Sequence, residues 1–200
     1  MIGRRADAAP GAPADRDAFL VAFSAAARRF RGNLALSESE VASLHAAGVD
    51  WPMCGRLDEA ARIALILDAA ARPDFDALLD ACFRGGDTGE RCAVLRALPL
   101  LPAPARFVPV AVEACRSNVL PVFEAIACEN PYPARHFAEA SFNQMVLKAV
   151  FMGVALDRLH GLDARRGDDL ARMARDYASE RRAAGRGVPA DLERLLTGGD

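Results

Sequence analysis

Leu57–Leu98 reads LDEAARIALILDAAARPDFDALLDACFRGGDTGERCAVLRAL, and its reading decides the fold class. Ile63, Ile66 and Leu67 recur at helical spacing, which predicts a helix over Leu57–Ala71. Asp74 is placed to cap a second helix that runs to Phe83, and Gly85-Gly86 breaks it. Asp87 followed three residues later by Glu90 is a capping-box spacing, and it opens a third helix to Leu98. Three short helices separated by tight breaks leave no room for a strand.

The same punctuation extends in both directions. Toward the N-terminus, Asp15 caps a helix through Arg31 with Phe19, Leu20, Phe23 and Ala27 on one stripe, and Gly32 ends it. Ser37 with Glu40 repeats the capping box and opens a short helix to Ala47. WPMCG, Trp51–Gly55, reads as a turn. Toward the C-terminus, the proline-rich Leu98–Phe107 feeds a helix over Ala105–Cys115, and another runs over Asn118–Glu129. NPYP breaks the chain, and Pro133 suits the first turn of the next helix. That helix runs to Met152 with a kink expected near Ala140. Gly153 and Gly161 bracket a short helical piece, Asp169–Ala184 is a polar surface helix, and Pro189 starts the last one.

No β-alternation or hairpin turn interrupts this series. The expectation is an all-α, single compact domain of short antiparallel helix pairs over residues 15–200, preceded by a disordered leader at 1–14 rich in Ala, Pro and Gly. Leu57–Phe83 and Asp87–Cys115 are both helix pairs, so a HEAT-like stack fits, although no clean period repeats.

Composition narrows the function classes. Apolar residues make up 52% and charged residues 26%, with a net charge of −2 and a pI of about 6.0. A nucleic-acid surface would need a strong basic excess, which is absent. The longest apolar run, Met145–Leu156, is too short to span a bilayer, and the two arginines of the leader precede no apolar stretch. The expectation is a cytoplasmic chain with no direct membrane insertion. Five cysteines, an odd number without a C-x-x-C pair, read as reduced core thiols. His45, His136 and His160 show no ligand spacing, so no metal and no cofactor is expected.

One segment stands apart. Lysine occurs once, at Lys148, against twenty-four arginines, and glutamine occurs once, at Gln144. Three of the four asparagines, Asn118, Asn130 and Asn143, and one of the two tyrosines, Tyr132, lie nearby. An ammonium is compact and a guanidinium is a planar fork, so the two cations are not interchangeable. On a helix from Ser141, the residues Phe142, Met145, Val146, Ala149 and Val150 form one apolar face. Gln144 and Lys148 lie opposite at i,i+4, between Leu147 and Phe151. Polar groups in a central helix need partners, since each one buried unpaired costs about 1–3 kcal/mol. Glu124 is placed to neutralise Lys148 across a helix pair, Asn118 and Asn143 to complete the network, and His136, four residues after Tyr132, to line a pocket mouth or simply to pack. Three readings stay open: a network that only joins two helices, a polar pocket for a small ligand, and a catalytic lysine.

Residues 116–166, RSNVLPVFEAIACENPYPARHFAEASFNQMVLKAVFMGVALDRLHGLDARR, strongly resemble the EboA family, and LARMARDYASERRAAGRGVPADLERLL continues the likeness. NPYPARHF followed by NQMVLKA is its most specific part. The resemblance implies an accessory protein of a gene cluster that makes or moves a small secondary metabolite, with other products of that cluster as partners. It brings no catalytic residue and no cofactor with it. The expected function is therefore binding of a small metabolite by Asn118, Glu124, Asn130, Tyr132, His136, Asn143, Gln144 and Lys148. The alternatives are an enzyme using Lys148 and Glu124 as an acid–base pair, the less favoured, and a helical scaffold.

Overall fold

The computed structural model describes residues 13–196. It is all-α and compact: among the described residues twelve α-helices and three short 3-10 turns carry the fold, and no sheet forms. In order, the helices are α1 (Pro13–Arg29), α2 (Glu38–Ala46), α3 (Leu57–Ala69), α4 (Phe75–Gly85), α5 (Thr88–Ala97) and α6 (Val108–Cys115). They are followed by α7 (Leu120–Ala127), α8 (Tyr132–His136), α9 (Glu139–Met152), α10 (Leu162–Arg165), α11 (Asp168–Ala183) and α12 (Ala190–Leu196). The first helix thus starts at Pro13, inside the expected leader, whose residues 1–12 lie outside the described residues.

Every second helix joins one row. α1 packs on α3, α3 on α5 and α5 on α7, while α4 and α6 pack against the row as α5 and α7 enter it. This is the order of a stack of helix pairs. The inner helices show why the row coheres. α5 buries Cys92, Ala93, Val94, Leu95 and Ala97, and α7 buries Val122, Phe123, Ala125, Ile126 and Ala127. Small residues on α5 let both neighbours approach closely, and the burial of this apolar surface drives the packing. α9, α11 and α12 close the far end, with α9 also touching α6 and α7.

Sequence signals at the helix starts hold at the capping boxes and fail at two aspartates, the first being Asp15, expected as a cap but lying inside the first turn of α1. Both capping boxes are complete: Ser37 with Glu40, and Asp87 with Glu90. Asp74 precedes α4 but makes no capping bond, because Arg72 takes its carboxylate through Nε at 3.0 Å. The helix expected to kink near Ala140 is instead broken into α8 and α9, with Phe137 and Ala138 extended between them. Arg165 supports that break by donating to the carbonyls of Ala134 and Phe137, each at 2.9 Å.

The row has a buried ion pair at its start. Arg62 on α3 donates to Asp58 at 3.0 Å and to the Phe23 carbonyl of α1 at 3.2 Å. A buried guanidinium is tolerable only when its donors are matched in this way, so the pair fixes how α1 meets α3.

The pairing fails at α2, which buries none of its residues. Residues 34–55 leave the row and return to it. Their ends are pinned by an antiparallel bridge between Asn33 and Arg56, with Leu34 N–H donating to Gly55 O at 3.0 Å and Leu57 N–H to Gly32 O at 3.1 Å. Gly32, at φ +111°, and Gly48, at φ +79°, supply the left-handed turns at either side of α2. Val49 and Trp51 anchor the returning strand of this strap in the core, and Arg135 stacks over the Trp51 ring at 5.1 Å.

Candidate functional site

The residues expected to form one polar pocket divide into separate groups. Lys148 Nζ donates to Asn118 Oδ1 at 3.2 Å and lies 5.9 Å from the Phe123 ring centre. Glu124 does not meet Lys148. Its carboxylate is taken by Arg158, which also grips Glu129 through Nε at 2.7 Å and through its second terminal nitrogen at 3.0 Å. The two carboxylates hold the Arg158 guanidinium firmly protonated. This correction has a physical cause: Arg158 offers a planar fork that spans two carboxylates, and a lysine ammonium does not.

Glu129 explains why the fork is needed there. It adopts φ +47°, a left-handed conformation that costs a non-glycine residue about 1 kcal/mol. Its N–H is turned to the Arg158 carbonyl at 2.8 Å, and its side chain to the Arg158 guanidinium. The same residue, Arg158, therefore holds both ends of the strained position.

Asn130 and Tyr132 bond to backbone groups of the core. Asn130, 3% exposed, donates from Nδ2 to Ala125 O at 2.9 Å and Leu95 O at 3.2 Å, and accepts from Tyr132 N–H at 3.0 Å. Tyr132 is buried and donates its hydroxyl to Pro104 O at 2.6 Å, and burial keeps its phenol protonated. His136 lies against the Tyr132 ring at 4.7 Å. Desolvation, assisted by Arg135, moves its imidazole below the ordinary histidine value. Packing is thus the contact the structure records for it.

Gln144 is exposed, and Phe151 beside it is 69% exposed, so that side of α9 is wet. Asn143 is the exception on this helix. It is 2% exposed, and its Oδ1 has no hydrogen-bond partner among the described residues. The apolar face expected of α9 is buried in full.

Lys148 does line a groove of about 390 Å³ between α9 and α11, together with Leu147 and Phe151 of α9 and Met173, Asp176, Tyr177 and Glu180 of α11.

The larger cleft lies elsewhere, under α2. An inner chamber, inner only in lying against the helix row and itself open to solvent at Ala64 and Leu67, measures about 540 Å³; it is floored by Ala60, Ile63, Ala64 and Leu67 of α3 and roofed by Leu44 of α2. The strap supplies its walls through Leu34, Leu36, Val49, Met53 and Cys54. An outer chamber of about 380 Å³ shares those five wall residues and Leu44, and adds His45, Asp50 and Trp51 at its mouth. Each volume falls in the range of small-molecule pockets, and the lining is predominantly apolar, as such pockets require.

Sequence reading missed this cleft because its residues belong to elements that looked complete. A signal was nonetheless present. ESEVASLHA, the whole of α2, carries only Val41 and Leu44 as large apolar residues. That is too few to bury a helix, while Leu34, Leu36, Val49, Trp51 and Met53 crowd the chain on either side.

The five cysteines are free thiols, as the sequence suggests. Burial pushes Cys54, Cys82, Cys92 and Cys128 up to about 11 and Cys115 up to about 12. Thiols so far above neutrality hold little thiolate and make poor nucleophiles. Among the described residues, no group of three or more His, Cys, Asp or Glu is arranged to hold a metal ion. None of the described helices is long and apolar enough to cross a membrane.

Comparison with curated proteins and with solved structures gives no match. A protein-family model does match: the one described as metabolite traffic protein EboA aligns with residues 7–197, and the chain belongs to that family.

Proposed function

We propose that this EboA-family chain is a non-catalytic carrier whose small-molecule ligand occupies the cleft between α2 and α3. One observation carries the reading: a predominantly apolar chamber of about 540 Å³ is roofed by a helix that buries none of its own residues. Apolar surface left open to water is costly at about 25 cal/mol per Å², so a chain that retains such a chamber gains when a ligand fills it. The family's description as metabolite traffic fits a protein that holds a compound without changing it. An enzyme using Lys148 and Glu124 has less support, because Glu124 is committed to Arg158.

A second reading places the ligand in the groove beside Lys148, a member of the expected polar set that lines a groove of about 390 Å³. Titration with the neutral fluorophore Nile red separates the two. The cleft reading expects saturable fluorescence enhancement at one site per chain, with the same affinity in Lys148→Met. Loss of the signal in Lys148→Met would move the ligand to the groove, and no saturable signal in either protein would remove the cleft. The same variant bears on stability. Lys148 makes one hydrogen bond to an exposed asparagine, so Lys148→Met changes unfolding free energy by no more than about 1 kcal/mol.

A further inference from the structure

We propose that the cleft takes an elongated lipophile whose polar end donates hydrogen bonds, an amine or an alcohol, and that it discriminates against carboxylates and phosphate esters. The inference rests on the preceding reading of the cleft and concerns which chemistry fits it.

Shape comes first. The inner and outer chambers share Leu34, Leu36, Leu44, Val49, Met53 and Cys54, so they adjoin and one elongated ligand can span both across that common lining. The inner end, against α3, is lined by aliphatic side chains apart from Ser43, Glu40 and the Cys54 thiol. The outer end is lined by His45, Asp50 and Trp51. A ligand that spans both chambers is apolar along the shared lining and polar where it meets His45 and Asp50.

Charge decides the polar end. The acidic side chains that line the two chambers are Glu40 at the inner one and Asp50 at the outer one, and among the described residues neither an arginine nor a lysine lines either chamber. In a chain with twenty-four arginines that is a selective omission. Three arginines of adjoining segments face other groups. Arg56 donates to Asp58 at 2.9 Å, Arg96 faces Glu59 at 3.2 Å, and Arg135 lies over the Trp51 ring. Glu40 is a fixed anion: its Oε2 accepts from Ser37 N–H at 2.8 Å and from Ser37 Oγ–H at 2.7 Å, and those bonds hold its carboxyl below the usual range. Asp50 is an acceptor at the mouth, and His45 adds ring nitrogens. An anionic head at the outer end would find no lysine or arginine in the lining and the Asp50 carboxylate beside it, and reversing the ligand would bring it to Glu40 instead. An amine or hydroxyl would find acceptors.

The test uses three probes with one tail: dodecylamine, dodecanol and dodecanoate, each below its micelle concentration, displacing Nile red from the full chain at low salt and mildly alkaline pH. The amine and the alcohol are expected to displace the dye at about three- to tenfold lower concentration than dodecanoate, a span suited to exposed charges. The difference between amine and dodecanoate should shrink in Asp50→Asn. Dodecanoate competing as well as the amine overturns the proposal while leaving the cleft as the site, and so does a difference that Asp50→Asn does not alter. Absence of dye binding at any concentration overturns the cleft reading itself. Light scattering runs alongside: a dimer whose dye binding falls as protein concentration rises assigns the cleft to a second copy of the chain and overturns both.

Discussion

Asn130→Ala is expected to lower the stability of the protein by about 3 kcal/mol and its Tm by roughly 6–12 °C, the largest single effect among the polar residues singled out by sequence. The reason is that Asn130 satisfies three backbone groups that nothing else can reach. Leu95 O would, in a continuing helix, accept from the residue four positions on, but that residue is Pro99 and has no N–H. Ala125 O would accept from Glu129, but the Glu129 N–H is turned to the Arg158 carbonyl. Tyr132 N–H lies in the first turn of α8, where no helical acceptor exists. The Asn130 amide answers all three from a position that is 3% exposed. Alanine leaves two carbonyls and one N–H dry. Asn130→Asp keeps the acceptor for Tyr132 but removes both donated bonds and brings a charge into the core, so it should be no milder. Urea unfolding of the three proteins measures this. A loss under about 1 kcal/mol in Asn130→Ala would mean that water reaches these groups and that the residue is not the tie between α5, α7 and α8.

That role shows how far the sequence could be read. Helix starts were legible because their chemistry is local: Ser37 with Glu40 and Asp87 with Glu90 need only the next few residues to form. The helical class followed from apolar spacing, which each segment carries by itself. Unusual residue types also marked a real structural feature at NPYP, since Asn130 and Tyr132 are buried and bonded. What composition could not supply was pairing. Glu124 has one carboxylate, and Lys148 and Arg158 are both candidates for it by charge. The choice of Arg158 depends on Leu159 meeting Cys128 across an isolated bridge between residues distant in sequence, which places the guanidinium beside Glu124 and Glu129. Gln144 illustrates the opposite error. Being the only residue of its kind suggested a partner, yet it is exposed. The cleft under α2 was the least legible feature, because a cavity is defined by side chains that fail to fill a space, and the space exists only once residues 34–55 are pinned at Asn33 and Arg56.

Ala64→Trp is expected to weaken Nile red binding by at least about 100-fold while moving unfolding free energy by less than about 1 kcal/mol. Ala64 is an exposed residue of α3 that lines the inner chamber. An indole there enters space that the protein itself does not occupy, so no packed neighbour has to move. The helix-propensity cost of replacing alanine by tryptophan is a few tenths of a kcal/mol, and the ring recovers part of it by covering Ile63 and Leu67. The substitution is made from the floor rather than from α2 for a reason. Changes on α2, such as Leu44→Asp, alter both the lining and the way the roof rests on it, and a loss of binding would then have two explanations. α3 is tied to α1 by Arg62 and packs on α5, so its backbone stays in place when the chamber is filled. Unchanged dye affinity in Ala64→Trp, with the fold intact by circular dichroism, would show that the dye does not enter the inner chamber. The Lys148 groove would then be the next cavity to test, and Phe151, 69% exposed in its lining, the first residue to truncate.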